Sequence, residues 1–241
     1  MSPKGGVGKT TTTWLVADAL ARLGRLDVCA VDANPDYGTL GHLVPEARRA
    51  ELSLSDLLDT YSDPAQPLPS APQLAPFFSR TDAGMRVLQA PADDEVMARM
   101  GPVEYERLLQ LLSNQMEVVL LDCGTGLASP LAKWALEVAD QVLIVTTPDW
   151  VTANNVSTAL RHVPAEKATL VLNQVRTGAA GSRGAITDHF ARQAVQRRHQ
   201  VPYDEGLRTM LDSGTYELDS MGRNVRIPIK RLAAQVGEEL L

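Results

Sequence analysis

Short apolar runs alternate, along this chain of 241 residues, with longer stretches whose apolar positions recur at helical spacing. That rhythm belongs to βα units, which build a mostly parallel sheet covered by helices on both faces. Strands are predicted over Asp27–Val31, Met85–Leu88, Val118–Leu121, Gln141–Thr146 and Thr169–Val175, with a short piece around His199–Val201. Three of them, Val118–Leu121, Gln141–Thr146 and Thr169–Val175, are nearly continuously apolar, as central strands buried on both faces must be. Helices are predicted over Thr10–Leu23 with Gly24 as its stop, Leu54–Thr60, Val103–Asn114, Pro130–Glu137, Val151–His162, Ala185–Gln196 and Ile229–Leu240. In the last, Leu232, Val236 and Leu240 form an apolar stripe beside Lys230, Arg231, Glu238 and Glu239, which suits docking on a sheet.

Two segments break the rhythm. Tyr61–Pro76 holds five prolines in sixteen residues and is expected to run over the surface without regular hydrogen bonding. Gly178–Gly184, with Arg183 inside it, is expected to be flexible. With 44% hydrophobic residues the chain can bury one substantial core, so a single domain over 1–241 is expected. The net charge of −6 excludes a surface that coats nucleic acid as a whole. Cys29 and Cys123 lack a C-x-x-C spacing and read as buried free thiols of a reducing compartment. His42, His162, His189 and His199 show no i, i+4 pairing, which removes a zinc site. No apolar stretch reaches membrane-spanning length and no leader is evident, so the expected location is cytoplasmic.

The densest chemistry lies at the start, in K-G-G-V-G-K-T-T at Lys4–Thr11. The common phosphate-loop pattern G-x-x-x-x-G-K-[ST] fails, because Pro3 stands where its first glycine belongs. Its parts remain. Gly5, Gly6 and Gly8 let successive N–H groups turn inward around Val7, and the helix beginning near Lys9 adds its positive end. Lys9 would neutralise β- and γ-phosphate charge, Thr10 would give a hydroxyl to Mg²⁺, and Thr11 would lie near the α-phosphate. Asp122 ends an apolar strand, where open α/β sheets bind ligands and a divalent cation offsets a carboxylate. A simple turn residue is the plainer reading of Asp122, and of Asn173.

This loop resembles the deviant Walker A signature of the MinD/ParA family of ATPases. C-A-V-D-A-N-P-D-Y-G-T-L at Cys29–Leu40, V-V-L-L-D-C-G-T-G-L at Val118–Leu127, L-V-L-N-Q-V at Leu170–Val175 and V-P-Y-D at Val201–Asp204 are similar to later motifs of that family. The resemblance implies a three-layer P-loop NTPase fold and an ATP-dependent homodimer that sandwiches two nucleotides. Lys4 would then reach its partner's phosphates, Gly5–Thr11 would cradle ATP or ADP, and Asp122 would stand near Mg²⁺ with Thr10. Asn173, Pro202 and Asp204 would border the base, and Asp32 would sit in the first switch region. The implied activity is ATP hydrolysis that drives positioning, partitioning or secretion-accessory recruitment of a protein partner.

Three departures qualify what is implied. The second aspartate usual in the switch motif is replaced by Asn34, and Asp36, two residues on, would misplace its carboxylate by several ångströms. Slow or absent hydrolysis is expected, with a nucleotide-binding scaffold as the alternative; a metabolic phosphotransferase ranks last for want of an acceptor site. Ser2 and Pro3 precede the loop where relatives have an apolar strand, so the first strand reads as truncated or its slot as filled otherwise. The chain ends V-G-E-E-L-L rather than in a basic amphipathic helix, so no C-terminal membrane anchor is expected. Arg183, Arg192, Arg197, Arg198, Arg223, Arg226, Lys230 and Arg231 give the last third a local positive excess. Such arginines contact DNA in ParA-like members, but a solvated helix face is the favoured explanation.

Overall fold

The computed structural model describes residues 1–34, 38–126, 129–176, 180–191, 193, 195–213 and 218–238. Asp36, Leu127, Gly178, Arg192, Glu239 and Leu240, and the side chain of Arg183, lie outside the described residues. Two compact units form: one from Met1–Thr12, Thr125–Thr209 and Glu217–Leu241, the other from Thr13–Gly124 and Met210–Tyr216.

In chain order the strands are β1 Val28–Ala33, β2 Ser79–Arg80, β3 Arg86–Leu88, β4 Val118–Cys123, β5 Val142–Thr146, β6 Ala168–Val175 and β7 Arg197–Pro202. The helices are α1 Lys9–Ala19, α2 Leu54–Thr60, α3 Ala71–Leu74, α4 Asp94–Arg99, α5 Pro102–Leu112, α6 Pro130–Val138, α7 Trp150–Leu160, α8 Ala180–Ala191, α9 Glu205–Ser213 and α10 Arg223–Glu238. The unit holding Thr13–Gly124 carries a four-stranded sheet in the order β2-β3-β1-β4, parallel except for β2 against β3. The other carries a parallel three-stranded sheet in the order β5-β6-β7. The α/β class with a mostly parallel sheet is therefore as expected.

Each core follows from strand alternation. In β6, Leu170 and Leu172 join Ile144 of β5, Val156 and Leu160 of α7 and Phe190 of α8 in one apolar cluster. Thr169, one residue out of phase with Leu170, faces the other way and accepts a hydrogen bond from Gln235 of α10. In the four-stranded unit β1 is buried throughout, and Leu54 and Leu57 of α2 and Tyr105, Leu108 and Leu112 of α5 are also fully buried.

Several expectations need correction. The proline-rich stretch is not wholly irregular. Pro72 sits in the first turn of α3, where its missing N–H costs nothing, and Ser70 and Gln73 close a capping box that seats Leu74 in the core. The helix predicted to run to Leu23 changes to a π-helical turn over Leu20–Gly24, closed by left-handed Arg25. Helix α8 starts within the glycine-rich stretch, so residues 180–184 are helical. Helix α10 starts six residues before Ile229, and Pro228 lies inside it, giving up one backbone bond. β2, α4 and α9 were not predicted: β2 has two residues, α4 has six, and α9 is a short amphipathic helix whose Leu207, Met210 and Leu211 recur at helical spacing.

Before the loop, the Met1 ammonium donates to Leu143 O at 2.7 Å, the Val145 N–H donates to Met1 O at 3.0 Å, and Ser2 bridges Thr125 in parallel. Met1 thus pairs with β5, and Ser2 with Thr125, as strand residues would. Among the described residues no helix is long and apolar enough to cross a membrane.

Ile144, with no exposed surface, tests the packing. Ile144→Ala should lower unfolding stability by about 2–5 kcal/mol in chemical denaturation. Val103→Ala, at an exposed position of α5, should change it by less than about 0.5 kcal/mol.

Candidate functional site

The loop between Ser2 and α1 is shaped by two glycines in left-handed conformations, Gly6 at φ +74° and Gly8 at φ +93°. A side chain at Gly8 is doubly barred, since its Cβ would fall 2.3 Å from Asn173 Nδ2. Gly5 has neither constraint: its Cβ would make ordinary contact with Thr125. Val7 is buried and anchors the turn. The loop's carbonyls are held from several sides. Gly8 O accepts the Thr12 N–H at 2.9 Å and the Thr12 hydroxyl at 2.7 Å, Val7 O accepts from Asn173 Nδ2 at 2.8 Å, Gly6 O accepts from Gln174 Nε2 at 3.2 Å, and Lys4 O accepts from Lys9 Nζ at 3.4 Å. Thr10 and Thr11 occupy the first turn of α1 and are partly exposed.

Lys4 extends to the start of α7. Its Nζ donates to Thr152 Oγ1 at 2.9 Å and lies 3.6 Å from Asp149 Oδ1. Asp149 also caps α7 by accepting the Thr152 N–H at 2.9 Å. Partial burial raises the pKa of Asp149, but the hydrogen bonds from Thr147 and Thr152 and the Lys4 charge outweigh it and bring it down to about 2. The ion pair is exposed on both sides and contributes little to stability.

In the other unit Asp32 and Asp122 stand directly opposite one another on β1 and β4, exposed by 1% and 2%. Burial, then the Asp122 charge, raises the Asp32 pKa to about 6, against hydrogen bonds from the backbone N–H groups of Leu40, Asn34 and Gly41. Asp32 thereby gathers the loop that follows β1: Leu40 N–H is 2.8 Å and Asn34 N–H 3.3 Å from its carboxylate. Thr13, one turn into α1, places its hydroxyl 3.5 Å from Asp122 Oδ1.

The structure therefore joins Lys4–Thr11 with Asn173 in one unit and Asp32 with Asp122 in the other. Pro202 ends β7 opposite Val175. Asp204 works as a cap and a tie, since one carboxylate oxygen accepts the Leu207 N–H at 2.9 Å at the start of α9 and the other accepts Asn224 Nδ2 at 3.1 Å. Gln174, Asp149, Thr152 and Thr13 were not singled out from the sequence. The Asp-x-x-Thr pattern before α7 was a legible capping signal; the left-handed φ of +58° at Gln174 was not legible, because it is not a glycine.

A sequence model of the AAA domain family matches residues 1–174. The fold is shared with a ParA family ATPase from Chlorobium tepidum, at TM-score 0.80 and 21% identity, covering 97% of this chain and 96% of that one. It is also shared with the septum site-determining protein MinD of Pyrococcus horikoshii, solved in complex with Mg-ADP, at TM-score 0.73 and 21% identity, covering 98% and 93%. The chain belongs to the MinD/ParA family of P-loop ATPases. This MinD/ParA chain is also 25% identical over 248 residues to the ESX-1 secretion-associated protein EspI of Mycobacterium tuberculosis, an alignment spanning 98% of the chain and 35% of EspI. It thus corresponds to about a third of that relative's length.

The raised Asp32 pKa has a definite sign. Ionising a carboxyl whose folded value exceeds its unfolded value costs the fold, so its contribution is full below about pH 4 and is lost as pH rises through about 6. Asp32→Asn removes the titrating charge and replaces one of the two accepting oxygens by an amide NH₂. Relative to this variant the unaltered chain should lose roughly 2–3 kcal/mol of stability between pH 4 and pH 7, read as the change with pH of the gap between their denaturation curves.

Proposed function

We propose that this chain binds ATP with Mg²⁺ at the Lys4–Thr11 loop, closes into a dimer of two copies while ATP is bound, and uses hydrolysis to release a protein partner. The observation that carries the reading is the loop itself: two left-handed glycines, carbonyls occupied by neighbouring donors, and α1 beginning at Lys9. Such a turn leaves its N–H groups and the helix's positive end for an anion. The loop fits the nucleotide, since Gly8 leaves room that a Cβ would fill, and the Thr10 hydroxyl and the Asp122 carboxylate are each the kind of hard oxygen Mg²⁺ prefers. Bound there, Mg²⁺ would neutralise charge developing on the phosphates. Lys9 would hold β- and γ-phosphate oxygens, and Thr13 would keep Asp122 oriented. Asn173 and Pro202 would border the adenine.

Lys4 is proposed to act on the partner copy's phosphates, exchanging its contacts with Asp149 and Thr152 for a stronger anion. The kind of service is proposed from EspI, whose name places it with a secretion system: the ATP-bound dimer would recruit a component of a protein-export process. A second reading, a nucleotide-binding scaffold with little turnover, is favoured by Asn34. Its amide cannot take the part of the carboxylate that relatives use to orient water, and its N–H is turned towards Asp32.

Calorimetry with Mg-ATP tests the cradle: Lys9→Ala should weaken binding by about 10–100-fold, the loss of a charge-assisted contact. Equal affinity in the variant would remove Lys9 from the phosphates. Lys4→Ala should leave affinity within about threefold, because its ion pair is exposed, yet abolish the ATP-dependent doubling of mass seen by light scattering. Assembly that survives the substitution would count against a lysine acting across the dimer. Steady-state phosphate release decides between turnover and scaffold.

A further inference from the structure

Asn173 and Gln174 lie side by side where β6 shifts register against β7, between Leu172 and Val175. In a regular strand two consecutive side chains point to opposite faces, and both amides could not reach one loop. The left-handed conformation of Gln174, at φ +58°, removes that restriction. Asn173 Nδ2 donates to Val7 O at 2.8 Å, and Gln174 Nε2 donates to Gly6 O at 3.2 Å, so adjacent side chains grip adjacent carbonyls.

The consequence follows from the planarity of the peptide group. In a trans peptide the C=O of one residue and the N–H of the next point in opposite directions and turn together. Drawing Gly6 O towards Gln174 therefore aims the Val7 N–H the other way, and drawing Val7 O towards Asn173 does the same for the Gly8 N–H. The same constraint applies one residue on, where Thr12 holds Gly8 O and so fixes the direction of the Lys9 N–H. Three successive N–H groups of the loop are oriented by donors on their carbonyls, two of which come from a single irregularity in β6.

We propose that Asn173 and Gln174 form an amide clamp that presets the loop for a polyphosphate chain, as positioning residues whose effect does not depend on the base. This rests on the loop being a phosphate cradle. It adds to Asn173 a duty that bordering the adenine does not include, and an amide has donors and an acceptor enough for both. It also accounts for Gly8, whose Cβ would displace the Asn173 amide from the grip.

Two variants of the full chain separate the clamp from a base contact. Gln174→Gly keeps the left-handed backbone without strain and deletes only the grip. Asn173→Asp keeps the shape and replaces the donor with an acceptor. The ligands are Mg²⁺-tripolyphosphate, which has no base, and Mg-ATP, both by calorimetry. The clamp requires that each variant lose affinity for both ligands by a similar factor, about fivefold. It also requires faster hydrogen exchange at Val7 in Gln174→Gly without ligand, while the β6 amides keep their protection. Weakened ATP binding with unaltered tripolyphosphate binding would overturn it, assigning these residues to the base alone; so would unaltered exchange at Val7. Should Asn173→Asp fail to fold, Gln174→Gly decides. If the unaltered chain binds neither ligand, the cradle falls and the clamp with it; if it binds both and Gln174→Gly is indistinguishable from it, the clamp alone is lost.

Discussion

N–H dipoles aimed at one point repel each other, and a short loop that collects them must be restrained by something other than its own preference. Here the restraint falls on the carbonyl side. Val7, Gly6 and Gly8 each have a hydrogen-bond donor on their oxygen. The left-handed conformations of Gly6 and Gly8 provide the bend, and a residue with a Cβ would adopt it only under strain. Without those donors the peptide planes would be free to rotate, and the sequence K-G-G-V-G-K-T-T would be only a supple turn before a helix. The loop thus depends on β6, from which Asn173 reaches Val7 across 166 positions of the chain, as much as on its own glycines.

The acidic half of the chemistry is arranged on the opposite principle. Asp32 and Asp122 are buried and face each other across parallel strands, where two negative charges are costly. Asp32 offsets part of that cost by collecting backbone N–H groups from the loop after β1. A carboxylate that holds a loop in this way couples the loop's position to the charge beside it. Within the same unit as this pair, the Thr13 hydroxyl meets Asp122.

Much of this was legible beforehand, for physical reasons that differ by element. The apolar runs of β1, β4, β5 and β6 and the helical spacing of α2, α5, α6 and α7 gave both type and approximate position, because burial dictates those patterns locally. The loop was legible because few purposes need three glycines and two lysines before a helix. What sequence could not convey depends on distant partners. Asp204 reads equally well as a base contact and as a cap, and only the nearness of Leu207 and Asn224 shows the cap. Helix α10 begins before Pro228 because a proline's fixed φ is compatible with a helix once packing makes up for one lost bond. Gln174 carries no hint of its left-handed backbone, which the register shift in β6 imposes.

The cap at the start of α7 has an optical corollary. Trp150 follows Asp149 directly, is about half exposed, and stands edge-on to His189 with ring centroids 5.5 Å apart. Its indole belongs to the first turn of α7, one residue on from the carboxylate that pairs with Lys4, and a change of charge or solvent contact at that turn would alter its emission. Were Lys4 to leave Asp149 on binding nucleotide, as proposed, this natural fluorophore would stand one residue from the broken ion pair and, with Trp14 and Trp134 replaced, would time the departure by stopped flow without an added label.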